Sequence, residues 1–209
     1  MKHEALLLCL ILAVGCGGSD PQPTSGPTSG PVSGTVGGAS FTATGAVATR
    51  VPIDTCTHNG VTVPVLLLEI WLSNSFDTAY MQGHPCDVKA GSRDLLVTIW
   101  RYVASGEIAP GTYQRQDDSS GGQAVVQTKF DTSCHQQFPN VLSDSGSVTI
   151  EANDGTHVVG TLNVSFPGGG RLSGRFDAPV ASPLLSACQS LGMSGGTNGP
   201  GCSAPVCVP

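Results

Sequence analysis

The sequence predicts an all-β fold, either an antiparallel β-sandwich or a small closed barrel of about eight or nine strands. Three observations lead to this fold class. From residue 32 onward, apolar and polar side chains alternate along most of the chain. Turn-forming residues are abundant, with 28 Gly and 15 Pro among 209 residues. Only 11% of the residues are charged, which does not suit long surface helices.

The alternation is clearest between residues 145 and 178. A strand ending near Ala152 leads into an Asn-Asp-Gly-Thr turn at 153–156, and a second alternating strand covers 158–166. Asp-Gly favours a tight hairpin because glycine accepts the positive φ of a primed turn. A turn at 167–170 then leads to a third strand at 172–178. These three strands form a predicted antiparallel meander with one buried face.

Further strands are predicted upstream, and they are linked by loops rich in Gly, Pro, Asn and Asp. The turn at 110–113 leads into another short strand. The stretch at 63–73 is apolar on both faces except for Glu69, so it is expected to be the central strand. The predicted strands cover 32–37, 40–49, 63–73, 94–103 and 123–130.

The first 16 residues have the pattern of a bacterial lipoprotein signal peptide. A lysine precedes an apolar run over 5–14, which is too short for the ~20 residues that cross a bilayer. The segment ends at Ala13-Val14-Gly15-Cys16, which resembles a lipobox with Ala13 where Leu is more usual. Cys16 is therefore the predicted lipidation site and mature N-terminus. Ordinary cleavage of a secreted protein is the alternative.

Composition divides the rest of the chain into three parts. Residues 17–31 contain TSGP twice and have no apolar side chain to bury, which predicts a flexible tether. Residues 32–180 form the β domain, and 181–209 form a cysteine-containing C-terminal segment. The net charge of -6 lacks the basic surface that nucleic acids require, so no nucleic acid partner is expected.

Several segments of the domain resemble a known class of proteins. VSGTVGGASFTATGA opens the domain, PGTY lies in its middle, and GSVTIEANDGTHVVGTLNVSF and LSGRFDAP lie near its end. Together they resemble a functionally uncharacterised class of bacterial lipoproteins that is common in myxobacteria and their relatives. The resemblance covers about residues 32–180 and implies an anchored β domain, with no catalytic residue to transfer. In that class a cysteine often follows soon after the Ala-Pro pair, which is at 178–179 in this chain, whereas the next cysteine here is Cys188.

The exported part of the chain contains an even number of cysteines, which predicts three disulfides in an oxidising compartment. Sequence allows 15 connectivities. The preferred pairing joins Cys56 to Cys86, whose loops flank the 63–73 strand. Cys202 would then close a small loop with Cys207, and Cys134 would hold the C-terminal segment through Cys188. The six cysteines are Cys56, Cys86, Cys134, Cys188, Cys202 and Cys207.

A metal site is the competing interpretation of the same residues. Three cysteines have a histidine beside them or two residues away, and thiolate and imidazole are both zinc ligands. Their spacing matches no established zinc module, and oxidation would remove the thiolates. Disulfides without a bound metal or other cofactor are therefore expected. The alternative ligand set is Cys56, His58, His84, Cys86, Cys134 and His135.

The sequence offers no convincing catalytic motif. Gly192 to Gly196 match the G-x-S-x-G pattern around Ser194, but no Asp, Glu or His follows that serine. The adjacent carboxylates Asp117 and Asp118 lie in a polar loop. The protein is therefore expected not to be an enzyme, and a hydrolase with an unrecognised site is the alternative.

Aromatic residues give the one hint of a binding surface. Trp71 shares a strand face with Glu69, and Trp100 shares a face with Tyr102. If the two strands are neighbours, these residues form an aromatic platform for a sugar ring or a partner protein. The alternative is that another element covers the rings. Glu69 itself is expected to lie on the outer face, in water.

Together these observations predict a lipid-anchored domain of the bacterial cell envelope with a binding or structural role. Its partners would be the membrane, through the lipid, and an envelope protein or glycan. The outer membrane is the expected location, ahead of the inner membrane, and secretion is the alternative. A metal-binding envelope protein is the alternative function.

Overall fold

The computed structural model describes residues 30–58, 60–115, 121–183, 187–191, 194–195 and 206–209. The predicted signal peptide with Cys16, and nearly all of the tether at 17–31, lie outside these ranges. Within them the chain is mainly β-structure with two short helices. The strands are β1 (Ser33–Val36), β2 (Ala39–Thr42), β3 (Gly45–His58), β4 (Val61–Ser73), β5 (Asp87–Lys89), β6 (Arg93–Arg101), β7 (Gly111–Gln114), β8 (Gly121–Phe130), β9 (Gln136–Leu142), β10 (Ser145–Asn153), β11 (His157–Phe166), β12 (Gly170–Ala181), β13 (Ser194–Gly195) and β14 (Val206–Val208), and the helices are α1 (Thr78–Gly83) and α2 (Ala187–Ser190).

One large sheet contains twelve of these strands, in the order β7-β10-β11-β12-β3-β4-β6-β8-β9, with β1, β2 and β13 attached at its side. The predicted all-β class is confirmed. The sheet is mixed, because the end of β12 runs parallel to β3, where Val180 pairs with Ala48 and Ala181 with Thr49. The expectation of a purely antiparallel sheet is therefore wrong at this junction. The closed barrel is also wrong, because the path ends at β7 and β9 without joining them.

The parallel junction divides the sheet into two halves. The meander half contains β7, β10, β11 and β12, and the long-strand half contains β3, β4, β6, β8 and β9. Both halves contribute to one buried apolar cluster, so the sheet folds over and its halves face each other like a sandwich. This first cluster includes Val148, Leu162 and Leu172 from the meander half, and Leu68, Ile70, Val97 and Val125 from the long-strand half.

The meander predicted from 145 to 178 is present as β10, β11 and β12, with antiparallel pairing throughout. Their alternation has the predicted cause, since every second residue of β11 faces the first cluster. The strand predicted at 40–49 is interrupted. The Thr44 side chain donates to the carbonyl oxygens of Ser73 and Phe76, at 3.2 and 2.9 Å, which separates β2 from β3.

Several elements were not predicted. Helix α1 follows Asp77, whose carboxylate accepts the backbone N–H of Tyr80 at 2.8 Å and so caps the helix. Strand β9 forms an exposed edge beside β8. Strands β5 and β14 form a separate two-stranded sheet. Among the described residues, no helix has the length and apolar character needed to cross a bilayer.

Candidate functional site

The cysteines are oxidised, but their pairing differs from the prediction. Cys56 is bonded to Cys188, with the Cα atoms 5.3 Å apart, and Cys134 is bonded to Cys207, at 5.6 Å. Cys86 is also in a disulfide. The predicted pairs Cys56–Cys86, Cys134–Cys188 and Cys202–Cys207 are therefore wrong. The prediction relied on loops near in sequence, whereas the C-terminal segment returns across β3 and beside β5.

The alternative metal cluster is not formed by the residues that were proposed for it. The sulfur atoms of Cys56, Cys86 and Cys134 are in disulfides, so they are not thiolate ligands. His84 and His135 each lie 3.5 Å from a local aspartate, Asp87 and Asp131 respectively. No group of three or more potential ligands occurs in the described parts of the chain. The side chain of His58 is not among the parts of the chain that the structure describes.

The serine motif and the paired carboxylates give no site either. Ser194 lies in β13, which pairs with β3, and this differs from the strand-to-helix turn of a nucleophile elbow. Asp117 and Asp118 lie outside the described residues. The chemistry of a binding site has therefore to be sought on the sheet faces and at the ends of the sandwich.

Glu69 lies at the middle of the outer face of the long-strand half. It pairs with Thr49 on one side and Thr98 on the other, and only 2% of its surface is exposed. The hydroxyl of Thr49 donates to the Glu69 carboxylate at 3.3 Å. The expectation that Glu69 lies in water is wrong, because both faces of β4 are buried along most of its length.

A second apolar cluster covers part of this outer face. It joins sheet residues to the C-terminal helix α2, and the Cys56–Cys188 disulfide lies within it. Trp100, Tyr102 and Leu191 pack partly buried around it. The buried members of the second cluster are Val51, Cys56, Val65, Leu67, Ala187 and Cys188.

The predicted aromatic platform is not formed. Strands β4 and β6 are neighbours, but Trp71 pairs with Leu96, whereas Trp100 pairs with Leu67. The row containing Glu69 and Thr98 therefore separates the two indole rings. Trp100 and Tyr102 pack against the second cluster, as the alternative prediction of a covering element implies.

Two grooves lie near the end of β6, and the first is lined in part by Gly106, Glu107 and Ile108 of the connection from β6 to β7. The first has a volume of about 210 Å³ and the second about 200 Å³. We call them the Arg50 groove and the Arg101 groove. The Arg50 groove is lined by Arg50, Val51, Pro52, Ile53, Leu66, Leu67, Leu68, Gly106, Glu107, Ile108 and Asn153, and the Arg101 groove by Trp100, Arg101, Thr112, Tyr113, Gln114, Gly121 and Gly122.

The connection from β6 to β7 is anchored at Ile108. The Asn153 amide donates to the carbonyl oxygen of Ile108 at 2.8 Å, and the Ile108 side chain is buried. Arg50 donates to Asn153 and forms an ion pair with Glu107 at 3.4 Å. These contacts fix the side chains of Arg50, Asn153 and Glu107 in place and use the guanidinium of Arg50 as a donor to internal partners. The Arg50 groove therefore has its only described cation engaged by internal partners.

The Arg101 groove differs because its cation has no carboxylate partner among the described residues. Tyr113 donates its hydroxyl to the carbonyl oxygen of Ala109 at 2.7 Å, which fixes its ring beside the groove. Burial raises the pKa of the Tyr113 phenol, and the positive charge of Arg101 lowers it in part. The guanidinium of Arg101 is therefore close enough to the Tyr113 phenol to interact with it electrostatically.

Local backbone geometry keeps this groove open. Gly121 begins β8 opposite Arg101 with φ at +126°, and a Cβ there would lie 2.2 Å from the carbonyl oxygen of Trp100. Only glycine fits that position. Gly122 follows opposite Trp100. The two glycines leave the start of β8 without side chains, so the space between β8 and the edge strand β7 remains accessible.

Sequence reasoning found only one residue of this groove, Trp100, and placed it in a different setting. Tyr113 and its neighbours were missed because β7 is placed by its pairing with β10, a strand more than 30 residues further along the chain. That pairing, which the local sequence does not indicate, brings β7 close to the end of β6. The available signal was the PGTY turn at 110–113, which places Tyr113 in a short edge strand. No family model, curated protein or solved structure matches this chain.

Proposed function

We propose that this chain is a non-catalytic binding domain of the bacterial cell envelope, anchored by a lipid on Cys16, which takes a glycan at the Arg101 groove. The observation that carries the proposal is the composition of this groove. A fixed tyrosine ring lies beside a guanidinium, a primary amide and a hydroxyl, contributed by Arg101, Gln114 and Thr112. A sugar ring presents both C–H groups and hydroxyls, so an apolar ring face beside hydrogen-bonding groups suits it.

The disulfides support a location outside the cytoplasm. Bonds such as Cys56–Cys188 and Cys134–Cys207 form and persist in oxidising compartments. This agrees with an N-terminal segment that has the pattern of an export signal. Attachment to lipid, and to the outer membrane in particular, is part of the proposal.

The lining of the groove favours binding over acid–base catalysis. Its described residues include no carboxylate, imidazole or thiol, which are the groups that most often transfer protons or attack substrates. Its volume is below the ~300 to 1,000 Å³ of pockets that enclose a whole small molecule. One ring of a longer chain is therefore the expected occupant.

The binding proposal is tested with the full chain, purified from envelope membranes and applied to an array of bacterial glycans. We expect Thr112→Trp to abolish the binding, because an indole on β7 fills the groove. The matched control is Thr42→Trp, an exposed position on β2 that lines neither groove. Equal binding by the two variants would refute this site.

The anchor is tested separately by labelling growing cells with a fatty acid analogue. We expect label on the wild-type chain in the outer-membrane fraction and none on Cys16→Ser. Labelling of the variant, or a wild-type chain released into the medium without label, would contradict the proposed anchor.

A further inference from the structure

We infer that the glycan of the Arg101 groove carries a carboxylate, as a uronic acid does, and that Arg101 binds this group. The inference rests on the proposed function and specifies the ligand class of that site. Guanidinium presents a planar fork of N–H donors that matches a carboxylate with two parallel hydrogen bonds.

Arg101 combines two properties, an unpaired charge and a place in a groove. Arg93 and Arg115 also have no carboxylate partner in the described ranges, but they line neither of the two grooves. Arg50 is paired with Glu107 at 3.4 Å, and Arg175 with Glu151 at 3.0 Å. Arg171 is hydrogen-bonded to Asn163 at 3.1 Å. Arg101 lines a groove, is exposed, and has no carboxylate partner in the described ranges, although the whole chain carries a net charge of -6.

The neighbours of Arg101 would complete the recognition of one acidic sugar ring. Tyr113 is fixed by its bond to Ala109 and offers a ring edge or face to the sugar. Thr112 and Gln114 lie on the exposed side of β7 and supply neutral donors and acceptors for hydroxyl groups. The small volume restricts this set to one ring, so the carboxylate and the ring are bound together.

The arrangement also explains why the Arg50 groove is not proposed for the same ligand. Its lining is mostly aliphatic, and its guanidinium is engaged by Asn153 and Glu107. A ligand carboxylate there would have to displace Glu107. Displacement of an internal partner lowers the gain from a new ion pair.

The test measures calorimetric binding of three trisaccharides to the full chain. These are α-1,4-linked trigalacturonate, the neutral trisaccharide made by reducing its carboxylates, and a sulfated form of that neutral sugar. We expect trigalacturonate to bind at least about tenfold more tightly than the neutral sugar, as a charged hydrogen bond allows. Raising the salt concentration should reduce the difference.

The variants assign the carboxylate to its partner. Arg101→Gln should remove the preference for trigalacturonate, and Arg101→Lys should retain part of it because lysine keeps the charge but loses the fork. Arg171→Gln removes the same charge from an exposed position away from the groove and should bind like the wild type. Circular dichroism of each variant verifies folding.

Four results would overturn the inference. They are equal binding of the acidic and neutral sugars, equal binding of the sulfated and carboxylated sugars, an unchanged preference in Arg101→Gln, and absence of binding by all three sugars. The broader glycan proposal fails only if array binding is absent or is insensitive to Thr112→Trp, so the two failures are distinguishable.

Discussion

The two halves of the sheet are stabilised in different ways. In the meander half, β11 buries every second residue against the first cluster, and its other side chains are half-buried except for the exposed His157. In the long-strand half, β4 is buried on both faces from Val65 to Ile70. A strand with two apolar faces needs a second covering layer. Here that layer includes α2, which a disulfide joins to β3.

The comparison shows that one half depends on local pattern and the other on a distant covalent connection. Cys56 and Cys188 are separated by 132 residues. Alternation within β10, β11 and β12 is enough to define the meander. The outer face of β3 and β4 is completed only when the C-terminal segment returns to it.

The largest effect is expected from removing this connection. Closing a loop of 132 residues stabilises the folded chain by roughly 5 kcal/mol in the chain-entropy estimate. The double variant Cys56→Ser/Cys188→Ser should therefore lose most of that stability in urea unfolding at pH 7. It should also expose Trp100, measured as increased acrylamide quenching in a Trp71→Phe background.

The matched control is Cys134→Ser/Cys207→Ser, which removes the covalent bond between β14 and the turn that contains Cys134 and leaves the second cluster in place. We expect it to lose stability without a change in Trp100 quenching. Similar quenching in both double variants would contradict the distinct role of the Cys56–Cys188 disulfide.

The next effect tests the meander half. Leu162 faces the first cluster and is buried, whereas its neighbour Thr161 faces away and is half-buried. Leu162→Ala should cost about 3 kcal/mol, within the usual range for a buried leucine. Thr161→Ala should change the stability by less than about 0.5 kcal/mol. Comparable losses in urea unfolding would show that the alternation does not define the buried face.

A smaller, pH-dependent effect is expected on the outer face of the long-strand half. Burial raises the pKa of Asp94, and a hydrogen bond from Ser73 lowers it in part. A carboxylic acid with a raised pKa favours folding at low pH, and this contribution is lost as the pH rises through the folded-state value. Asp94→Asn should therefore raise the stability by about 1 kcal/mol at pH 7.

The gain should disappear below the ordinary pKa of aspartate, because wild-type Asp94 is then protonated in both states. The control is Asp144→Asn, an exposed aspartate in the loop before β10. A gain of equal size at pH 3 and pH 7 would argue against a burial effect.

The smallest effect is expected in the turn between β10 and β11. Asp154 accepts hydrogen bonds from the backbone of Thr156 and His157 and from the Thr156 hydroxyl, which lowers its pKa to about 2. Its contribution to stability is present above the ordinary aspartate pKa and is lost as the pH falls toward 2. Asp154→Ala should reduce the loss of stability between pH 5 and pH 2 in urea unfolding. The same loss of stability between pH 5 and pH 2 in the wild type and in Asp154→Ala would refute the stabilising role of the Asp154 carboxylate.

Sequence predicted β10, β11 and β12 of the meander half, because residues near in sequence pair there through short turns. It also located β4 and β6, but not what covers them. Glu69 was misplaced because its burial depends on the cover over the outer face and not on its own strand. The predicted disulfide pairs were wrong because the cysteines that bond lie far apart in sequence and are brought together only by the tertiary fold.

The candidate site was the least predictable part. Trp100 and Arg101 end one strand of the long-strand half, and Tyr113 lies on the edge of the meander half. Their proximity depends on how the two halves fold over each other. Alternation determines which face of a strand is apolar, but not which strand ends meet.

The first described residues of the chain run directly along β12. The carbonyl oxygen of Gly30 accepts the backbone N–H of Arg175, Pro31 bridges to the same residue, and β1 continues along this strand. Since β12 also carries the parallel junction to β3, a mechanical pull from the N-terminal side would first load the strand that joins both halves. The force needed to unfold the domain from its N-terminal side should therefore depend on the pairing of β12 with its neighbours. Single-molecule stretching from residue 30 would measure that force.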